Sequence, residues 1–70
     1  MRLGAVESVP ALLKLLDDPD ARVRWMAGLA VGRIGDASIL PELRRRQGKA
    51  DGDLRDRLEQ SIREIEARTR

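Results

Sequence analysis

Residues Val9–Ile34 read VPALLKLLDDPDARVRWMAGLAVGRI, and the parsing of this stretch decides the fold. Leu12, Leu13, Leu15 and Leu16 supply a wide apolar face with Lys14 pointing outward, the pattern of a short amphipathic helix. A turn over Gly4–Ser8 is expected ahead of it, with Ser8 as N-cap and Pro10 in the first turn, where a missing N–H costs little. Asp17-Asp18-Pro19-Asp20 stops the helix, because a residue before proline is pushed away from helical angles. Asp20 is then placed to cap a second helix over Ala21–Ile34. Val23, Ala27, Ala30, Val31 and Ile34 recur on one face of it. Ala27, Gly28, Ala30 and Gly32 are small enough to let a neighbouring helix come close. Each of the two glycines weakens an isolated helix by up to about 1 kcal/mol relative to alanine, so packing must hold this segment. Gly35 is expected to end it in the left-handed C′ conformation, and Asp36 to cap the next helical segment.

Outward from this hairpin, a third helix is predicted over Ile39–Gln47, with Pro41 in its first turn. GKADG (Gly48–Gly52) reads as a loop. A fourth helix is predicted over Asp53–Ala67, burying Leu54, Leu58, Ile62 and Ile65. Glu59–Arg63 and Glu64–Arg68 fall at i,i+4 in the favourable order. Thr69 and Arg70 are expected to fray.

Composition narrows the function classes. Seventy residues allow one domain with a thin core. Cysteine and histidine are both absent, which removes a disulfide framework, thiolate metal sites, and the commonest general base and nitrogen ligand. The serines and Thr69 therefore have nothing to activate them, and the carboxylates fall at caps, turns and i,i+4 pairs. No catalytic residue, metal or cofactor is assigned. Charged residues make up 37% of the chain but the net charge is only +2, so the signs are mixed. No apolar run reaches membrane-spanning length and no signal-peptide core follows Met1, so a soluble cytoplasmic protein is expected.

A shift of 31 positions brings the two halves into register without a gap. Pro10 then falls on Pro41, Leu12 on Leu43, Asp20 on Asp51, Arg24 on Arg55, Val31 on Ile62 and Ile34 on Ile65. Arg2-Leu3-Gly4 falls on Arg33-Ile34-Gly35, so the chain opens with the last residues of an earlier copy, cut from a longer array or descended from one. A four-helix bundle with halves alike by chance is the alternative. The matches at Pro10, Asp20, Arg24 and Gly4 favour repetition, because each marks a cap, a turn or a fixed charge. The expected fold is all-α: two antiparallel helix-pair repeats, four helices in a short α-solenoid. Residues 1–70 form one domain, with 1–4 the tail of a preceding repeat, 5–35 the first repeat and 36–70 the second, capping repeat.

SVPALLKLLDDPDARVRWMAGLAVGRIGD resembles the HEAT-like repeat of the phycobiliprotein-lyase type. The resemblance rests on a proline-led leucine helix, an acidic turn with proline, V-R, and small residues ending in G-x-I-G-D. It implies a ladder in which a buried aspartate and an arginine six residues on link neighbouring repeats. Asp18 and Arg24 stand at those positions in the first copy; in the second Arg55 remains but Lys49 replaces the aspartate. No chromophore-handling role transfers to any residue. The second copy also replaces Leu13, Leu15 and Leu16 by Arg44, Arg46 and Gln47, as a closing repeat with a polar outer side requires. Nothing comparable closes the N-terminal side, where Leu3, Val6, Val9 and part of the leucine helix lack a covering repeat. That edge is expected to pack on another copy, giving a homodimer, or on a partner.

The outward positions of the second helix are Arg22, Trp25, Leu29 and Arg33, on the concave side in a solenoid of this kind. Trp25 is the only aromatic residue in the chain, and indoles are enriched at interaction hot spots. These four are the candidate contact residues for a protein or peptide partner; the alternative is that Trp25 merely packs over Met26 or a neighbouring helix. The matching stripe of the fourth helix is Asp53, Asp56, Gln60 and Glu64. Stacking would set Arg22 near Asp53 and Arg33 near Glu64, most simply as inter-repeat ion pairs. Arg44-Arg45-Arg46 could contact nucleic-acid phosphate together with Arg33 and Arg22. A solvated capping face is preferred, because no second basic cluster accompanies the run and acidic residues lie close.

Overall fold

The computed structural model describes residues 5–69, with side chains from residue 9 onward. Four α-helices follow in order: α1 (Ala5–Leu15), α2 (Ala21–Ile34), α3 (Leu40–Lys49) and α4 (Gly52–Arg68), with a 3-10 turn over Ala37–Ile39 ahead of α3. α1 packs on α2 and α3 on α4, and the two pairs join chiefly where α2 meets α4. The result is a tandem of helix pairs, the all-α solenoid arrangement expected from the 31-residue repeat.

Helix α2 has the predicted bounds for the predicted reasons. The Asp20 carboxylate accepts the Arg22 N–H at 2.8 Å, one of the N–H groups a helix start leaves without a partner. The Asp18 side chain accepts the Asp20 N–H at 2.8 Å, so the acidic turn bridges Pro19 and presents the cap. Asp36 likewise accepts the Ser38 N–H at 3.0 Å, but it caps the 3-10 turn, and α3 proper begins only at Leu40.

Other boundaries differ from expectation. α1 is already helical at Ala5, so Ser8 lies inside it and is not its N-cap, and Pro10 sits mid-helix. Nothing in Ala5–Ser8 breaks a helix, and Pro10 removes only one backbone bond while its φ suits the helix. α3 runs on to Lys49, which shrinks the expected five-residue loop to Ala50 and Asp51. The chain reverses there through Gly52, whose φ of +58° is left-handed and suits glycine. Gly35 is extended, with φ −76° and ψ 164°, not left-handed. Glycine is needed there for space: a Cβ would collide with the Ile39 methyl and lie 2.7 Å from the Val31 carbonyl oxygen and 3.1 Å from Ile65 Cδ1. Thr69 closes α4 with its N–H and hydroxyl both on the Ile65 carbonyl, at 3.0 and 2.8 Å. The alignment of Gly4 with Gly35, the side chains of Leu3 and Val6, and Arg70 lie outside the described residues.

Leu16, Ala27, Val31, Leu40, Leu43, Leu58, Ile62 and Ile65 form the buried core, drawn from α2, α3, α4 and the α1–α2 turn, with the partly buried Leu12 and Leu13 of α1 packed against it. The small residues of α2 act as expected. A Cβ on Gly28 would stand 2.9 Å from Arg57 Cγ, and one on Gly32 would stand 2.9 Å from Ser61 Cβ, so α4 sits where side chains would otherwise be. The close approach lets the fully buried Ser61 hydroxyl donate to the Gly28 carbonyl at 2.6 Å. Arg68 donates to the Gly35 carbonyl at 2.6 Å instead of pairing with Glu64. The Gly35 carbonyl, just past the C-terminus of α2, is a fixed, partly buried backbone acceptor beside the negative end of that helix's dipole, which an exposed carboxylate cannot match.

Candidate functional site

The outward face of α2 is set by its inward one. Ala27, Gly28, Val31 and Gly32 are buried against α4 and the core, which leaves Arg22, Trp25, Met26 and Arg33 exposed and Leu29 half-buried. Trp25 leans toward α4, where the Arg57 guanidinium carbon lies 5.6 Å from the centroid of its ring. That is cation–π range, worth about 0.5–1 kcal/mol at an exposed site. Arg57 Nε is buried with no hydrogen-bond partner, so the indole face is what the guanidinium gains there. The indole remains 40% exposed and Met26, one residue on, 62% exposed.

Trp25 and Met26 border a hollow of about 640 Å³ whose other lining residues include Arg22, Arg24, Asp53 and Leu54. At the far end of the same α2–α4 valley, Arg33, Glu64, Ala67 and Arg68 line a shallower hollow of about 460 Å³. Each hollow thus holds the arginine and carboxylate that the stacking argument set side by side. Neither pair closes. The nearest carboxylate to Arg22 is its neighbour Asp20 at 3.5 Å, with the arginine side chain 91% exposed. Arg33, Asp53 and Glu64 form no ion pair among the described residues. Glu64 instead lies over Gly32, its Oε1 2.6 Å from where a Cβ would stand. The α2 wall thus carries Arg22 and Arg33. The α4 wall carries the carboxylates of Asp53 and Glu64 together with Arg57 and Arg68, which are engaged by the Trp25 ring and the Gly35 carbonyl.

The ladder residues meet, but inside the first repeat. Arg24 Nη1 donates to the backbone carbonyls of Asp18 at 2.7 Å and Pro19 at 3.0 Å, which ties the acidic turn to α2. The Asp18 carboxylate is engaged by the Asp20 N–H, so no side-chain ion pair joins it to Arg24. Arg55 is exposed on the first turn of α4, without an ion pair among the described residues. The side-chain ion pair that does cross between repeats is Arg46 Nη1 to Asp17 Oδ1 at 2.6 Å. It holds the Asp17 carboxyl below the usual carboxylate range and raises the Arg46 guanidinium.

The arginine run is consumed by carboxylates. Arg44 pairs with Glu66 across α3 and α4, Arg45 with Glu42 at 2.5 Å, and Arg46 with both Glu42 and Asp17 at 2.6 Å. The Arg45 and Arg46 bonds hold the Glu42 carboxyl below its ordinary value. Arg46 is also not on the outer side as expected: its side chain is 19% exposed and turned toward the first repeat. Sequence reasoning missed Met26, Arg57 and Leu54 as members of the Trp25 site. The helical stripe places Trp25 outward with Met26 next to it in sequence, but only the α2–α4 packing brings Leu54 and Arg57 to the site.

Comparison with known proteins agrees with the architecture. The family model described as HEAT repeats matches residues 2–63. The match is to the repeat itself and carries no statement about the phycobiliprotein-lyase type. No curated protein and no solved structure matches the chain. Among the described residues no helix is long and apolar enough to cross a membrane.

Proposed function

Because the chain belongs to the HEAT-repeat family, we propose that it is a non-catalytic, cytoplasmic protein-interaction module whose contact surface is the valley between α2 and α4. Repeats of this family commonly serve protein–protein contact, since stacked helix pairs present an extended surface. The observation that carries the reading is Trp25: an indole left 40% exposed, stacked under Arg57, at the rim of a hollow of about 640 Å³. Such an anchor supplies buried area at low entropic cost, and ring-stacked arginine is the other residue type enriched at hot spots. Arg22 and Arg33 on one wall, with Asp53 and Glu64 on the other, would set the orientation of a protein or peptide segment through charges that do not pair across the valley, Arg22 being held only by its exposed neighbour Asp20.

The alternative, phosphate contact through Arg44–Arg46, is weaker because each of those guanidiniums already bonds a carboxylate. Retention on heparin that persists in an Arg22→Glu/Arg33→Glu variant and is lost in Arg44→Ala/Arg45→Ala would favour it. For the main reading, capture of a partner from the source cell by wild-type chain and by Trp25→Ala is the test. Loss of roughly tenfold or more in partner affinity, with little change in melting temperature, is expected. Unchanged affinity per folded molecule, or collapse of the fold, would make Trp25 a packing residue and remove the site.

A further inference from the structure

The two repeats share one register, so each side chain of the second repeat that touches the first has a counterpart on the opposite, N-terminal edge of the first. Arg46 reaches back to Asp17, Arg57 to Trp25 and Gly28, and the buried Ser61 to the Gly28 carbonyl. Thirty-one positions earlier stand Leu15, Met26 and Ala30. These three polar groups used for docking onto a preceding repeat are replaced at that edge by apolar ones, whereas Glu64, which lies over Gly32, has the charged Arg33 as its counterpart. Leu15 is 40% and Met26 62% exposed, two of the three exposed large hydrophobic residues among the described ones. Leu12 beside them is half-buried, whereas its counterpart Leu43 is wholly covered. Isolated exposed apolar residues need no explanation, but a set at the docking positions of a repeat marks an interface.

The opposite face tells which surface of another copy can sit there. The face that the first repeat turns to the second is built on Leu16, Gly28 and Gly32, with Leu16 Cδ2 3.8 Å from where a Gly28 Cβ would stand. The same positions of the second repeat are Gln47, Glu59 and Arg63. They form a hydrogen-bonded row, Gln47 to Glu59 at 2.6 Å and Arg63 to Glu59 at 2.8 Å, flanked by the Arg44–Glu66 pair. Seating that row on Leu15 and Met26 would strip water from charged groups and offer them no partner. Head-to-tail stacking of copies is thereby opposed, and the remaining self-complementary match is apolar edge on apolar edge.

We propose that the N-terminal edge, centred on Leu15, Met26 and Ala30, is the interface of a two-fold symmetric homodimer of this chain. The contact is isologous, so each edge covers the other and the assembly closes at two subunits rather than growing into filaments. Met26 also borders the Trp25 hollow, so the two surfaces share that residue; the valley is tested at Trp25 and the dimer edge at Leu15 together with Met26.

The absence of cysteine makes the test direct. A Met26→Cys chain, oxidised at concentrations of roughly 10–500 μM where a small interface is populated, is expected to give a disulfide-linked dimer in high yield. Arg63→Cys on the opposite face is expected to stay monomeric under the same conditions. A cross-link between Met26→Cys and Arg63→Cys chains in a mixture, or equal yields from the two single variants, would overturn the symmetric arrangement. Sedimentation equilibrium on the wild type, against Leu15→Arg/Met26→Arg, supplies the second reading. The double variant, which places on this edge the residue type that Arg46 and Arg57 supply to the second repeat, is expected to be a folded monomer. A wild type that is monomeric throughout the concentration range would remove the proposal, while leaving partner capture through Trp25 untouched.

Discussion

α2 and α4 play the same part in successive repeats and are held together by different means. α2 has small residues, Ala27, Gly28 and Gly32, on the side where α4 approaches, and its carbonyls at Gly28 and Gly35 serve Ser61 and Arg68 of that neighbour. α4 carries Glu59 and Arg63 at the positions of the two glycines, where no helix follows among the described residues and the two pair with each other. A helix with two interior glycines gives up about 2 kcal/mol of intrinsic stability, so α2 depends on tertiary burial. α4, with its charged pair and fully buried Leu58 and Ile65, is supported from both its own sequence and the core. The difference teaches that glycine in a repeat helix reports a neighbour, and a charged pair in its place reports solvent.

The sharpest way to break this comparison is to remove the same leucine from each repeat. Leu43→Ala, at a fully buried position, is expected to cost about 2–5 kcal/mol and to leave little folded protein in a chain this small. Leu12→Ala, at the half-buried counterpart, is expected to cost roughly half as much in dilute solution. If denaturant titration gave equal losses, and the Leu12→Ala loss grew with concentration, the edge of the first repeat would be covered by another copy. Next in size is Gly32→Ala. The added methyl meets the Ser61 Cβ and Glu64 carboxylate, so a loss of about 1–3 kcal/mol is expected despite alanine's better helix propensity. Arg63→Ala at the matching position should stay within about 0.5 kcal/mol. A stabilised Gly32→Ala chain would show that α4 can move away and that the close contact is not required.

The smallest expected effect is on acid stability. Asp17, Asp20, Asp36, Glu42 and Glu59 all have carboxyls held below their ordinary values, by Arg46, the Arg22 N–H, Ser38, Arg45 and Gln47 respectively as the leading causes. A depressed folded-state value means that the unfolded chain takes up protons first. The stabilisation is therefore complete above the unfolded values of about 4 and is lost as pH falls through the lower folded ones. Melting temperature should be flat from neutral pH to about 5 and decline below 4. Glu42→Gln should flatten part of that decline, and a melting temperature that rose on acidification would contradict the assignment.

Much of the fold was legible because the decisive signals are local. Asp20 before an apolar-periodic run, and the recurrence of Pro10, Leu12 and Asp20 after 31 positions, specify the hairpin and its repetition without reference to anything distant. Pro10 misled, since its preference for a first turn is weaker than the tendency of α1 to continue through Ala5–Ser8. Ser61 was readable and missed: with Leu58, Ile62 and Ile65 it completes the buried face of α4. Arg46 was not readable. Its place in an arginine run pointed to solvent, and only the approach of the α1–α2 turn gave it Asp17 as a partner.

By itself the sequence determined the four helices, their pairing and the outward position of Trp25, because periodicity, caps and turns act within a few residues along the chain. Only the tertiary structure decided which charges meet. Arg22 and Asp53, or Arg33 and Glu64, share a hollow without closing, while Arg68 prefers the Gly35 carbonyl and Arg57 the indole of Trp25. Side-chain ion pairs are weak enough at a surface for a fixed backbone acceptor or an aromatic face to outcompete them. That competition is settled in three dimensions, by how closely the glycines of α2 let α4 approach.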